Sequence, residues 1–313
     1  MKIVVIGGSA GSLRSLKKIT SGISKNIDAA VFVVIHFPPD KTSNLPAILN
    51  RENEVPAVFA THHSTIETGK IYVATSDHHL IIEKGKMLLV HGPKENRFRP
   101  SIDVLFRSAA VAYDAKVIGI ILSGLLDDGT SGLSTIKENN GVAIVQDPED
   151  AEFKNMPLSA LRNVAVDHCV PAKEIAALIN NPANKQPKEI GMKNGERLQW
   201  ENKIARGMNT SFDDIKKYAT STRYICPQCE GPLFHINDDK VTRYRCFTGH
   251  AFTSATLLQD ISEKVEHLLW TTFRTMDEKR EMIQNFTEQN DELVKEKEKL
   301  EIQLEVIKKL LEQ

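Results

Sequence analysis

The chain has 313 residues, a formal net charge of -1 and 41% apolar residues. That length exceeds one ordinary small domain, and the near-neutral balance gives no electrostatic case for nucleic acid or an anionic membrane. No run approaches the ~20 apolar residues that span a bilayer, and the stretch after Met1-Lys2 is too short for a secretory signal, so a cytoplasmic protein without membrane insertion is expected.

Residues 1 to about 180 alternate apolar strand-like runs with helical segments, the α/β pattern of a doubly wound, mostly parallel sheet. The first run, Ile3-Val4-Val5-Ile6-Gly7-Gly8, ends at Ser9, and Arg14 to Ile23 reads as a helix. The second run, Ala30-Val31-Phe32-Val33-Val34-Ile35, ends at His36, and Leu45 to Arg51 reads as a short helix. Ile71 to Ala74 is a strand. Leu80-Ile81-Ile82 and Met87-Leu88-Leu89-Val90 flank Glu83-Lys84-Gly85-Lys86 and read as an antiparallel hairpin. Ser101 is placed to cap a helix over Ile102 to Ala112. The run Val117-Ile118-Gly119-Ile120-Ile121-Leu122 leads to Asp127 and Asp128. A helix from Ser131 to Asn139, a strand over Val142 to Val145, a last strand over Asn163 to Val166 and a helix over Ala172 to Ile179 complete the domain.

Asn180 to Gly195 has linker composition, and Leu198 to Arg206 suits a short helix. A cysteine cluster follows within 223–253. From Ser254 to the end there is no Pro or Gly, which predicts a long helix. Leu293, Leu300 and Ile307 recur every seven residues, with Leu304 and Leu311 at the second core position. A short coiled coil through 288–313 that binds itself or a partner helix, a docked helix and a solvated tail all fit. The expected divisions are 1–180, 181–222, 223–253 and 254–313.

Parallel strands share a carboxyl edge, where ligands and catalytic groups gather. Ser9, His36 and Asp128 all fall there. A hydroxyl is a poor nucleophile until a base takes its proton, and an imidazole steadied by a carboxylate can do so. Gly7-Gly8-Ser9-Ala10-Gly11 matches G-x-S-x-G between strand and helix. A dinucleotide loop needs G-x-G-x-x-G, but positions 6, 8 and 11 are Ile, Gly and Gly, and His36 stands where a ribose-binding acid belongs. The bland readings are a structural glycine turn, a packed histidine and an N-capping aspartate. The order Ser, His, Asp differs from the Ser, Asp, His of α/β-hydrolases.

Together, Val4 to Gly11, Val34-Ile35-His36-Phe37-Pro38, Arg99 to Phe106 and Leu122 to Gly129 resemble the CheB-type protein-glutamate methylesterase family over about residues 1 to 180. The resemblance implies Ser9 as nucleophile, His36 as base and Asp128, not Asp127, as its carboxylate. It implies hydrolysis of glutamyl methyl esters on a methylated, helical chemoreceptor-like partner, and in some members glutamine deamidation, with no cofactor for catalysis. The oxyanion donors it implies are the backbone N–H groups of Ala10 and Leu125. Three positions depart from the family pattern: the usual Gly-Met-Gly is Gly124-Leu125-Leu126, and Ala10 stands for a frequent Thr. The family's receiver domain usually precedes the esterase, whereas here the esterase pattern begins at Met1, so a stand-alone form without that switch is expected. An esterase or amidase on another protein substrate, and a non-catalytic signalling adaptor, are the competing readings.

Cys226-Pro227-Gln228-Cys229 and Cys246-Phe247-Thr248-Gly249-His250 bracket a hairpin from Leu233 to Ile236 into Tyr244-Arg245. Two such knuckles build a zinc-ribbon-like Cys₃His site, and four protein ligands leave no open position, so a structural zinc is expected. His235 is a lesser candidate ligand. Arg223 to His250 holds four basic and three acidic residues, which gives no nucleic-acid patch. Cys169 reads as a small buried hydrophobe. The pairs His62-His63 and His78-His79 read as loop histidines, with His79 a candidate for the cleft border.

Overall fold

In the computed structural model the described residues are 1–37, 43–181, 195–208, 210–237, 240–286 and 291–312. They form two compact units, Met1–Thr256 and Leu257–Gln313. The expected linker falls almost wholly on 182–194, outside the described residues.

The first unit begins with β1 (Lys2–Gly8), α1 (Ser12–Ser21), β2 (Ala29–Ile35), α2 (Leu45–Leu49), β3 (Ala57–Phe59) and β4 (Lys70–Val73). The hairpin β5 (His79–Glu83) and β6 (Lys86–Val90) follows, then α3 (Ile102–Tyr113), β7 (Val117–Ile121), α4 (Thr130–Glu138) and β8 (Val142–Gln146). Then come α5 (Asn155–Asn163), β9 (His168–Val170) and α6 (Ala172–Asn180). Seven strands pair in the order β3-β4-β2-β1-β7-β8-β9, every neighbour parallel.

Period-two alternation sends successive residues of each strand to opposite faces. Ile3, Val5 and Phe32 pack with Ile102, Phe106, Leu133 and Met156 of α3, α4 and α5 on one face. Val4, Ile6, Val31 and Val33 pack with Leu16, Ile19, Leu45 and Ile175 of α1, α2 and α6 on the other. Both faces being covered explains why the central strands are apolar runs rather than alternating ones.

Three expectations are corrected. Asn163–Val166 is not a strand: it holds the end of α5, closed by the Val164 N–H donating to Ala160 O, and the turn that follows. The last strand is β9 instead, and Cys169 within it is exposed rather than buried, because β9 is the sheet edge. Ser101 precedes α3 but makes no side-chain cap; its hydroxyl goes elsewhere, as described below.

The chain continues through α7 (Gly195–Ala205), α8 (Phe212–Tyr218), β10 (Ala219–Ile225), β11 (Pro232–Ile236), β12 (Arg243–Cys246) and β13 (Ala251–Thr253). Helix α8 opens with a capping box between Ser211 and Asp214. The four strands form an antiparallel sheet in chain order. Its small core joins Trp200, Ile204, Ile215, Phe234 and Ile236.

This part is fastened to the esterase-like layer by buried charge. Glu201 of α7 pairs with Arg243 at 2.7 Å and Arg197 at 2.8 Å, and lies 3.2 Å from Arg245 and 3.6 Å from Arg107 of α3. Glu95 takes a bidentate pair from Arg107 and a further bond from Arg245 at 3.0 Å. These arginines hold both carboxyls below their ordinary range against the opposing effect of burial, Glu95 at about 2.

The second unit holds most of α9 (Ser254–Phe286) and α10 (Asp291–Leu311), so the expected long helix is present and a second follows it. Lys279 of α9 bonds Glu296 of α10 at 2.6 Å. Of the expected heptad positions, Leu300 and Leu304 are buried. No helix among the described residues is long and apolar enough to cross a membrane.

Candidate active site and metal centre

The register of the sheet aligns Gly8 with Ile35 and Gly7 with Ile121, so the turns after β1, β2 and β7 emerge side by side. Ser9 follows β1; its N–H donates to Ser123 O at 2.9 Å, and its carbonyl accepts from the Ser12 N–H and hydroxyl. Gly11 has φ 72°, a left-handed conformation that glycine adopts without strain and that turns the chain into α1. Gly124 is required for a different reason: a Cβ there would lie 2.8 Å from Ser9 Cβ and 2.0 Å from Met156 Sδ. The small residue lets the turn after β7 close against the serine.

His36 follows β2 with its N–H on Gly8 O at 3.1 Å. Its Nε2 lies 3.0 Å from Asp128 Oδ2, and both side chains are almost fully buried. The Phe98 ring stacks on the imidazole, centroids 3.5 Å apart and planes 8° from parallel. His36 Nδ1 is buried without a hydrogen-bond partner. With Nε2–H donating to the carboxylate, Nδ1 keeps its lone pair.

Asp128 is saturated. Oδ1 accepts from the Ser101 hydroxyl at 2.9 Å, the Asn96 amide at 2.9 Å and the Asp103 N–H at 3.3 Å; Oδ2 accepts from the Ile102 N–H at 2.7 Å and from His36. Two of these donors are the first N–H groups of α3, which otherwise lack partners, so the carboxylate does the capping expected of Ser101. Burial pushes the Asp128 carboxyl up, but bonds from His36, Asn96 and Ile102 outweigh it and hold it below the ordinary range. Asp103, which shares Asn96 as a donor at 2.7 Å, goes the other way: burial and the Asp128 charge push it up to about 8. Asp127 does not join His36; it accepts from the Thr253 hydroxyl at 2.8 Å.

Ser9, Ala10, His36, Phe37 and Phe98 line one cleft of about 390 Å³, along with Lys94, Arg97, Arg99 and Asp77. Asp77 binds Arg99 through Nε and Nη2. Leu125 is half exposed on the turn after β7. A larger hollow, about 640 Å³, is lined by Arg99, Met208, Phe247 and His250 among others and includes none of Ser9, His36 and Asp128. His79 does not border the cleft. It is fully buried, with Nε2 on Pro93 O at 2.8 Å and Nδ1 accepting from the Ser101 N–H, and burial lowers its pKa to about 4. Asn96, Phe98 and Thr253 carry no signal in the sequence; only the fold brings Asn96 to Asp128, Phe98 to His36 and Thr253 to Asn96.

Residues 4–179 match the family model for the CheB methylesterase. The chain belongs to the CheB methylesterase family. It is 38% identical over 176 residues to a putative protein-glutamate methylesterase/protein-glutamine glutaminase of Leptospira interrogans, covering 56% of this chain and 91% of the relative. It is 35% identical over 178 residues to the protein-glutamate methylesterase/protein-glutamine glutaminase of Thermotoga maritima, of which it spans only about half, 52%. The crystal structure of the Thermotoga maritima CheB methylesterase catalytic domain is similar to it, with TM-score 0.55 at 35% identity over 57% of this chain and 96% of that one. The match to the CheB model ends before α7, so the Cys/His unit lies beyond it.

In that unit Cys226 and Cys229 sit on the turn between β10 and β11, Cys246 ends β12, and His250 lies on the turn between β12 and β13. Their four donor atoms all lie within 4.8 Å of one another. Cys229 Sγ is 3.6 Å from Cys246 Sγ, and His250 Nδ1 is 3.8 Å from Cys226 Sγ and 3.6 Å from Cys246 Sγ. Bonds of about 2.3 Å to sulfur in a tetrahedron demand edges of about 3.8 Å, so the donor set fits Zn²⁺. His235 is elsewhere, edge-on to Tyr244.

Proposed function

We propose that the chain is a protein-glutamate methylesterase that works by double displacement, with Ser9 as nucleophile, His36 as general base and Asp128 as its orienting carboxylate. The observation that carries this is the His36–Asp128 pair: Nε2 is committed to the carboxylate while the buried Nδ1 has no partner, in a cleft that Ser9 lines. Nδ1 takes the Ser9 proton as Oγ attacks the ester carbonyl. The backbone N–H groups of Ala10 and Leu125 are assigned to the oxyanion. Nδ1–H then protonates the leaving methoxide, which departs as methanol, and water frees the glutamyl group from Ser9 by the reverse steps. The same cycle on glutamine would release ammonia.

The substrate class is a methylated, chemoreceptor-like helical protein, and the cytoplasm is the compartment assigned to it. Lys94 and Arg97 at the cleft, beside the Arg99–Asp77 pair, suit a helix rich in glutamate. Ser9→Ala is expected to abolish methanol release from methylated receptor while leaving the fold intact; full activity in that variant would sink the assignment. Cys226, Cys229, Cys246 and His250 are assigned to one structural zinc. Protein purified without chelator should hold one zinc per chain, and a content far below that would refute it.

A further inference from the structure

The 94–98 loop lies between the triad and the Cys/His unit. Asn96 and Arg97 both have positive φ, 51° and 77°, a conformation that costs non-glycine residues energy and persists only where neighbours hold it. Those neighbours come from β13 and the first turn of α9. The Asn96 N–H donates to Ala251 O at 2.8 Å, and the Ala251 N–H to Lys94 O at 3.2 Å, so the loop runs as a parallel partner beside β13. The Asn96 side-chain oxygen accepts from the Thr253 N–H at 3.1 Å and meets the Thr256 hydroxyl at 3.5 Å. The two threonines are themselves locked: Thr253 Oγ1 accepts the Thr256 N–H, and Thr256 Oγ1 accepts the Thr253 N–H.

The consequence lies on the other end of the amide. Asn96 Nδ2 donates to Asp128 Oδ1 and to Asp103 Oδ2. An asparagine amide can flip, and a flipped Asn96 would turn its oxygen toward two carboxyl groups. The Thr253 N–H on the oxygen, with the Thr256 hydroxyl 3.5 Å from it and 3.2 Å from Thr253 O, opposes the flip and keeps the NH₂ group on Asp128. Two residues further on, Phe98 lies flat on His36. The same loop therefore touches both the base and its carboxylate, and β13 with the start of α9 sets where the loop sits.

Resting on the reading of Ser9, His36 and Asp128 as catalytic, we propose that Asn96 is a positioning residue for the Asp128–His36 pair, and that Thr253 and Thr256 make the C-terminal part of the body a component of the esterase active site. Asn96 touches no reacting atom; it acts through Asp128. A merely structural Asn96 would affect stability alone.

The test uses the full chain and four variants, with Ser9→Ala as the zero of activity. Thr256→Val keeps shape and removes the hydroxyl; Thr256→Ser keeps the hydroxyl. Thr256→Val is expected to lower kcat about tenfold with KM unchanged, and Asn96→Ala about 100-fold, by analogy with the loss on removing outer partners of metal ligands. Thr253→Val should resemble Thr256→Val, and Thr256→Ser should keep wild-type kcat. The low-field proton resonance of the His36–Asp128 hydrogen bond should shift or broaden in the Val variants and not in Thr256→Ser. If folded Thr253→Val and Thr256→Val keep wild-type kcat and that resonance, the proposal is overturned. It is equally overturned if Ser and Val lose activity alike, or if kcat falls only with the folded fraction. Inactivity of the wild-type chain on methylated receptor would instead refute the methylesterase reading, and the resonance would still report on Asn96.

Discussion

His36 and His79 are both held by the 93–101 loop, and their partners give them different chemistry. His36 has one nitrogen on a carboxylate and one without a partner. His79 has both engaged, on Pro93 O and the Ser101 N–H, and only its neutral form satisfies that pair. Its folded pKa of about 4 lies below the ordinary value of 6.5. Between those values the unfolded chain binds the proton and the folded chain does not. The His79 contribution is therefore complete above pH 6.5 and is lost as pH falls toward 4, by about 3 kcal/mol in all. Denaturant titrations of wild type and His79→Gln should show a stability gap that closes over that window; a constant gap would contradict it. The placement of Ser9, His36 and Asp128 at the carboxyl edge of the sheet was legible in the sequence, because each follows an apolar run that reads as a buried strand. Asn96 and Phe98 were not, because nothing in a loop's local pattern records which side chain it will meet. The Ser101 cap was misread for a related reason: Asp128, remote in sequence, reaches the same N–H groups first.

Among the elements, the central strands and the helices beside them were readable from periodicity, since both faces of the sheet are covered. Val164 and Val166 imitate a strand just past the end of α5, whose first turn holds Pro157, and β3 carries too little pattern because it is three residues on a sheet edge. Helix α8 had a signal, Ser211 with Asp214, that marks its start. Helix α7 was foreseen as a helix but not for what it carries. Glu201 is fully buried among Arg107, Arg197, Arg243 and Arg245. In sequence these charges are scattered from Arg107 to Arg245 and read as solvated, because ion pairing across a fold leaves no local period. Removing one partner of a buried pair strands the others, so Glu201→Gln should destabilise the body by about 3 kcal/mol or more. Urea unfolding of the two proteins checks this; a loss under ~1 kcal/mol, as for exposed pairs, would show the cluster to be hydrated.

At the scale of the molecule, the body from Met1 to Thr256 is one compact unit although the family match stops at residue 179. The Cys/His unit has a small core of its own, and a bound metal would supply much of its folding free energy. Chelation should therefore lower the melting temperature of the whole body in a single transition. Two separate transitions, with the parallel-sheet layer unmoved, would show that the two parts fold apart.

The Glu95, Arg107, Glu201, Arg243 and Arg245 cluster also bears on descent. Each single replacement within it unbalances a buried set of charges, so these positions are expected to change together. A recombination event between the α6 and α7 segments would pair an esterase layer with a tail that cannot neutralise it. The two parts are therefore expected to be inherited as one block, and in lineages that keep the tail these five positions should drift as a correlated set rather than one by one.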